Sequence, residues 1–321
     1  MPHPGPDPES AARAAWPDLA RVAGLDPFAH VLAVVRIRSA HGQTRTVLSV
    51  DGPGGEMILK HAPDEAEPGF SARIAALQQA RERLDGIPGC NVARIRAADR
   101  ARRALLLDRV PGRTLHDAIA DCADPGARLA LLEAGARWAG HLHRSGSVTF
   151  GRHRPGRLLR QLDGFAAEVA SGIAVADPDA YAALIDHAQT VVEAERGRRS
   201  AIGTVHGDLN LRNLIVGTDG GVTGIDLGAP GPRPAAEDLA RLLVWFETLF
   251  WEGSGGPDGL KARILAAHGG RWRDGTTLDG HVAVELARLW RTVPADPARR
   301  GLLHHRRRAG VRRMAAALYG I

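Results

Sequence analysis

One stretch, residues 205–228, constrains this chain more than any other. It reads VHGDLNLRNLIVGTDGGVTGIDLG. Two short apolar runs flank GTDGG, and a glycine-rich turn between such runs is a hairpin signal. Asp208, Asn213 and Asp226 stand just outside the runs. If Val216 pairs with Thr223, the antiparallel register sets Asn213 opposite Asp226. Opposed residues have Cβ atoms about 4.5–5.5 Å apart. That is close enough for both side chains to serve one cation, since Mg²⁺–oxygen distances are about 2.0–2.1 Å.

Asp208 and Asn213 have the Asp-x-x-x-x-Asn spacing of a kinase catalytic loop. Phosphoryl transfer needs a carboxylate that accepts the nucleophile's proton. It also needs oxygen ligands that hold Mg²⁺ on the phosphates. Asp208 suits the first task, and Asn213 with Asp226 the second. A lone HGD or a lone D-x-G is a common turn. The ordered set of HGD loop, Asn, apolar strand, glycine-rich turn and D-x-G is far more specific.

Upstream, residues 31–37, 44–50 and 56–62 read as three consecutive antiparallel strands, with turns at HGQ and DGPGG. A helix is expected over about 13–24 and another over about 70–85, the latter with Ile74, Leu77 and Leu84 near one face. Residues 92–99 and 104–110 read as two more strands. After Pro111 and Gly112 helices dominate, over about 114–121, 125–145, 157–171 and 178–198 and again from Glu237 on. The expected fold is α+β, with a small β-rich N-lobe and a larger helical C-lobe. The expected divisions are a loose tail at 1–12, a nucleotide-binding N-lobe at 13–110, and a helical C-lobe at 111–321 carrying the catalytic loop and acceptor site.

Lys60 closes the third strand, and a buried lysine needs an anionic partner. The chain has 42 basic residues. Only Lys60 and Lys261 among them are lysine, so an arginine-rich composition did not displace Lys60.

These pieces resemble the aminoglycoside phosphotransferase and choline kinase-like family, which has a protein-kinase-like fold. The matching residues are HGDLNLRNLIV, GIDLGAPGPRPAAEDLARLL, ALLLDRVPGRTL and the strand EMILK. The resemblance runs from about residue 30 to 250. It implies ATP and Mg²⁺ as cofactors, Asp208 as catalytic base, and Asn213 and Asp226 as magnesium ligands. It implies Lys60 as the phosphate contact and the stretch 108–110, with Asp108 and Val110, as the hinge near adenine. The turn Ser39-Ala40-His41-Gly42-Gln43-Thr44 would lie over the phosphates, with Gly42 as its flexible point. Asp238 and His206 would brace the catalytic loop, and His141 and His143 would be structural.

The chain departs from the pattern at one place. Active kinases pair the strand lysine with a helix glutamate, whereas Arg73 stands where that glutamate is expected. Glu67 is the candidate partner by position. The expected function is transfer of the γ-phosphoryl group of ATP to a hydroxyl of a small molecule. The alternative is a catalytically weak, nucleotide-binding pseudokinase.

Other classes lack their signatures. There is no P-loop and no G-x-S-x-G. Two cysteines, Cys90 and Cys122, exclude a disulfide scaffold. No apolar run reaches the length of a membrane helix, and no secretory leader is visible. A reduced, cytoplasmic setting is expected. His304 and His305 lie in an arginine run that disfavours a metal dication. The arginine-rich end lacks aromatic interleaving or any nucleic-acid motif, so nucleic acid is not an expected partner. Residues 257–321 carry thirteen basic and five acidic residues, while the whole chain has a net charge of +6. That segment disfavours polycationic acceptors and favours neutral or anionic ones. The acceptor's identity and the oligomeric state are not legible.

Overall fold

The computed structural model describes residues 7–40, 42–228, 231–251, 256–269 and 277–321. Residues 1–6 of the expected tail, His41 of the expected phosphate turn, and Arg271, Arg273 and Asp274 of the basic segment lie outside the described residues. In chain order the first elements are α1 (Pro8–Val22), β1 (Val31–Ala40), β2 (Gln43–Asp51), β3 (Met57–His61), α2 (Glu67–Leu84), β4 (Cys90–Val92), β5 (Ile95–Asp99) and β6 (Ala104–Asp108). Next come β7 (Arg113–Thr114), α3 (Leu115–Asp121), α4 (Pro125–Arg144), β8 (Thr149–Arg152), α5 (Gly156–Ala170), α6 (Pro178–Ala194) and β9 (Arg199–Thr204). The last are β10 (Leu214–Val216), β11 (Val222–Gly224), β12 (Pro232–Pro234), α7 (Ala236–Leu249), α8 (Gly256–His268), α9 (Leu278–Trp290) and α10 (Leu302–Tyr319).

The chain forms two compact units. One is Met1–Gly112 with Gly217–Pro230, and the other is Arg113–Val216 with Gly231–Ile321. The division expected at residue 110 is therefore not continuous along the chain. The segment 217–230 counts with the first unit because β11 runs parallel to β4, with Val222 opposite Cys90 and Gly224 opposite Val92.

The first unit is built on a five-stranded antiparallel sheet of order β1-β2-β3-β6-β5. Alternation along the strands puts Leu48, Val50, Met57, Leu59, Ala104 and Leu106 on one face. That face packs on Ala12, Ala15, Trp16, Leu19 and Ala20 of α1 to form a buried core. Removing one such leucine side chain costs about 2–5 kcal/mol. Helix α1 begins at Pro8, earlier than the expected 13, so residues 8–12 are helical rather than a loose tail. The reason is local: the Asp7 side chain accepts from the Ser10 amide, and Pro8 occupies the first turn, where a missing N–H costs nothing. The strand expected over 92–99 is split into β4 and β5, which join different partners. Helix α2 buries Phe70, Ile74, Leu77, Ala80 and Leu84, one face at helical spacing.

The second unit is mostly helical. In it β8, β9 and β12 form a three-stranded antiparallel sheet of order β12-β9-β8. β7 pairs with β10, Thr114 opposite Ile215. Helices α7 and α9 are buried along most of their length, including Leu242, Leu243, Phe246, Leu286, Leu289 and Trp290. This packing brings the start of α7 against the loop that follows β9.

Candidate active site

The loop after β9 is pinned by its own apolar residues, since Leu209 and Leu211 are fully buried. Between them and the strand, Gly207 takes a left-handed backbone, φ +81°, which glycine adopts without strain. The side chain of Asp208 is 54% exposed. Asn213 donates from Nδ2 to the Asp208 carbonyl at 2.8 Å and to its Oδ2 at 3.3 Å. With Nδ2 so engaged, the amide oxygen Oδ1 is the atom that Asn213 can offer a cation. The two residues expected from the motif are thus brought together.

The loop is held from behind by Asp238, at the first turn of α7. Its Oδ2 accepts the His206 amide at 2.6 Å and its Oδ1 the Gly207 amide at 2.9 Å. His143 of α4 donates from Nε2 to Asp238 Oδ2 at 3.0 Å, and His143 Nδ1 lies 2.9 Å from His268 Nε2. Burial alone would push the Asp238 carboxyl up. The hydrogen bond from His143, the charges of His143 and His206 and the His206 amide outweigh it and hold the group down to about 2. His268 is pushed down to about 2 by burial and then by the neighbouring His143 and Arg144, so it is neutral. His206 Nδ1 accepts the Asp208 amide at 3.2 Å. Asp238 and His206 stand where loop bracing was expected of them, and His143, expected only to be structural, supports Asp238, whereas His141 takes no part in these bonds.

Beyond the positive charge of residues 257–321, the sequence did not foretell which arginines stand near Asp208. Arg241 of α7 lies 3.5 Å from Asp208 Oδ1 and donates to the Gly207 carbonyl. It also lies 3.5 Å from Glu285 Oε2 and 3.7 Å from Glu237 Oε1. Arg288 forks onto Glu285, Nε to Oε2 at 2.7 Å, and Trp245 Nε1 donates to Glu285 Oε1 at 3.3 Å. Arg307 of α10 is only 7% exposed. Its guanidinium stacks 4.8 Å above the Trp245 ring and donates to Thr292 Oγ1 at 3.1 Å, with no carboxylate in ion-pair distance among the described residues. Burial, then the charges of Arg212 and Arg288, pull it down to about 10. The one visible signal was the turn of α7 that places Arg241 three residues after Asp238.

In the first unit, Lys60 lies on the sheet face opposite α1, between Val47 and Leu105 in register. It ion-pairs with Asp226, which follows β11 in a left-handed backbone, φ +58°. Lys60 is 19% exposed and Asp226 46%. The partner is therefore not Glu67, which accepts from Ser71 Oγ at 2.5 Å. Arg73 does not face Lys60 as a lone cation; it pairs with Glu65 at 2.6 Å. Proximity decides this: the loop after β11 delivers a carboxylate to the lysine, and α2 spends its own acids locally.

The remaining expected residues are placed as follows. Gly42 is in the β1–β2 turn at φ +71°, with open space around its Cα. Asp108 ends β6, pairs with Arg96, and its amide donates to the Arg94 carbonyl at 2.9 Å. Val110 follows, half-buried. Val216 and Thr223 fall in different units, and the register between them stays an expectation. Asp208 with Asn213 belongs to the second unit, Lys60 with Asp226 to the first.

The chain thus combines a β-rich unit bearing a partly buried, ion-paired lysine with a helical unit bearing a braced HGD loop, a mixed α+β architecture. Residues 35–277 match the model of the phosphotransferase enzyme family, APH, and the chain belongs to that family. No curated protein matches the chain. Among solved structures, a choline/ethanolamine kinase family protein from Mesorhizobium loti is similar at TM-score 0.59 and 16% identity, over 96% of this chain and 94% of that one. The macrolide 2'-phosphotransferase MphH from Brachybacterium faecium gives TM-score 0.54 and 15% identity, over 97% and 99%. The amicoumacin kinase hAmiN, solved with AMP-PNP, Ca²⁺ and Ami, gives 0.54 and 14%, over 95% and 94%. At these identities the likeness is one of fold, the two-lobed protein-kinase-like fold. Among the described residues no helix is long and apolar enough to cross a membrane.

Proposed function

We propose that this protein transfers the γ-phosphoryl group of ATP to a hydroxyl of a small molecule, with Mg²⁺. The observation that carries this is Asp208: a half-exposed carboxylate whose loop is fixed by the buried Asp238 and whose neighbour Asn213 is hydrogen-bonded to it. Asp208 orients the acceptor hydroxyl and takes its proton as the oxygen attacks phosphorus. Arg241 holds the carboxylate from the side. Asn213 Oδ1 and the Asp226 carboxylate are hard oxygen donors of the kind Mg²⁺ takes. No group of three or more His, Cys, Asp or Glu forms a metal centre among the described residues. That fits an ion completed by substrate phosphates and water. Bound Mg²⁺ supplies charge neutralisation on the phosphates. Lys60, paired here with Asp226, would hold the phosphates, with Gly42 near them and Asp108 and Val110 near adenine. Only two cysteines, Cys90 and Cys122, occur in the chain, which suits a reducing, cytoplasmic setting.

The acceptor is neutral or anionic. Near Asp208 the acids are already shared: Glu237 by Arg157 at 2.8 Å and Arg233 at 3.3 Å, Glu285 by Arg288 and Arg241. Arg307 has no carboxylate within ion-pair distance among the described residues, and Glu285 offsets its charge only from further off. A polycation would meet it at a cost, and an acceptor carboxylate or phosphate would satisfy it. The test is an ADP-release screen of purified protein against amino alcohols, sugars, hydroxy acids and aminoglycosides. Turnover is expected with neutral or anionic alcohols. Aminoglycosides as the best substrates would reject the charge assignment. No ADP release with any acceptor, together with Mg·ATP binding, would favour the pseudokinase.

A further inference from the structure

The second unit contains a cavity of about 510 Å³ that the proposed reaction does not use. It lies over the sheet β8-β9-β12 and is closed by the start of α5 and by α9. Its lining includes Arg152, His153, Arg154, Arg157 and His281, and no acidic residue. The volume falls in the range of small-molecule sites, about 300–1,000 Å³.

Two features set this cavity apart from an ordinary basic surface. His281 is 4% exposed and His153 6%, and the Nε2 atoms of both are buried without a hydrogen-bond partner. Their rings meet edge to face, 6.0 Å between centroids. Both residues line the cavity, and their rings form its floor. Arg152, Arg154 and Arg157 are exposed, so their guanidinium groups reach the cavity mouth. Of these three only Arg157 is anchored by a carboxylate, Glu237 at 2.8 Å. Burial pushes His281 down to about 3, with the charges of His153 and Arg157 adding to it. Its imidazole is therefore neutral. It offers one N–H, and the arginines supply the charge.

We infer that this cavity is a binding site for a phosphate-bearing small molecule, separate from the acceptor site at Asp208. Guanidinium forks match phosphate oxygens in geometry and charge, and the imidazole rings form the floor beneath them. Arg152 and Arg154 are the primary anchors, because Arg157 is shared with Glu237.

The test uses the full chain without nucleotide, with inorganic phosphate and pyrophosphate as probes and chloride at matched ionic strength as control. Calorimetry gives the affinity, and the imidazole proton resonances of His153 and His281 report where the probe sits. Saturable binding is expected that shifts both histidine signals. It should persist in Asp208→Asn and Lys60→Ala, which separates it from the acceptor and nucleotide sites. The double variant Arg152→Ser with Arg154→Ser alters exposed side chains only and should keep its melting temperature. It should weaken binding about tenfold or more. Binding that is lost in Lys60→Ala and retained in the double variant would overturn the proposal. So would the absence of saturable binding, or binding that leaves the two imidazole signals unmoved.

Discussion

Lys60 and Asp226 are each other's counter-ion, and both belong to the first unit. Under the proposed function each takes a different duty once nucleotide arrives, the lysine on phosphate and the carboxylate on metal. Lys60→Ala should therefore raise the KM for ATP about tenfold or more while changing the acceptor KM little, since a charge-assisted contact is lost at one substrate only. Equal rises in both, measured by steady-state kinetics, would place Lys60 elsewhere. Sequence reading reached Lys60, Asp208, Asn213 and Asp226 because each sits at a fixed offset from a strand or turn. It did not reach the lysine's partner. That pairing joins residues 166 apart in the chain, and helix position favoured Glu67. Nor did it reach Arg241, Arg288 and Arg307, whose meeting depends on how three helices pack.

At the scale of elements, the close approach of α10 to α7 rests on Gly310. A Cβ there would lie 1.9 Å from the Thr248 carbonyl oxygen. Gly310→Ala must push the helices apart, and overpacking of this kind costs about 1–3 kcal/mol. Chemical denaturation should show that loss; an unchanged midpoint would mean that α10 is not seated as described. Helix α7 carries a second device. Glu247 is 3% exposed, and burial pushes its carboxyl up to about 7, against the charge of Arg313. The folded state keeps this proton where the unfolded chain, near 4.5, has lost it. The contribution is full below about pH 4.5 and fades as the pH rises through about 7. Glu247→Gln should thus gain melting temperature relative to wild type as the pH goes from about 5 to about 8. A difference that does not grow with pH would contradict the assignment. Element boundaries were legible where caps and glycines marked them, as at α3 and α4. The start of α1 was missed because its Pro and Asp residues read as a tail, although they are the cap and first turn.

For the whole molecule, the sequence exposed the division into a sheet-based part and a helical part. It did not expose the return of 217–230 to the first unit, since three-residue strands such as β4 and β11 leave little pattern in sequence. The C-terminal charge excess was legible as a number, but not its distribution. Arg308 and Arg312 face Asp177, Arg313 donates to the Glu247 carbonyl, and Arg307 is buried without a carboxylate in ion-pair distance among the described residues. The central claim is that Asp208 is the base of a phosphoryl transfer. The most direct test measures Mg·ATP affinity and acceptor-dependent ADP release side by side for wild type and Asp208→Asn. Nearly unchanged affinity is expected, with turnover lowered about 10²–10⁴-fold, the range for loss of a general base. Wild-type turnover in Asp208→Asn would contradict it.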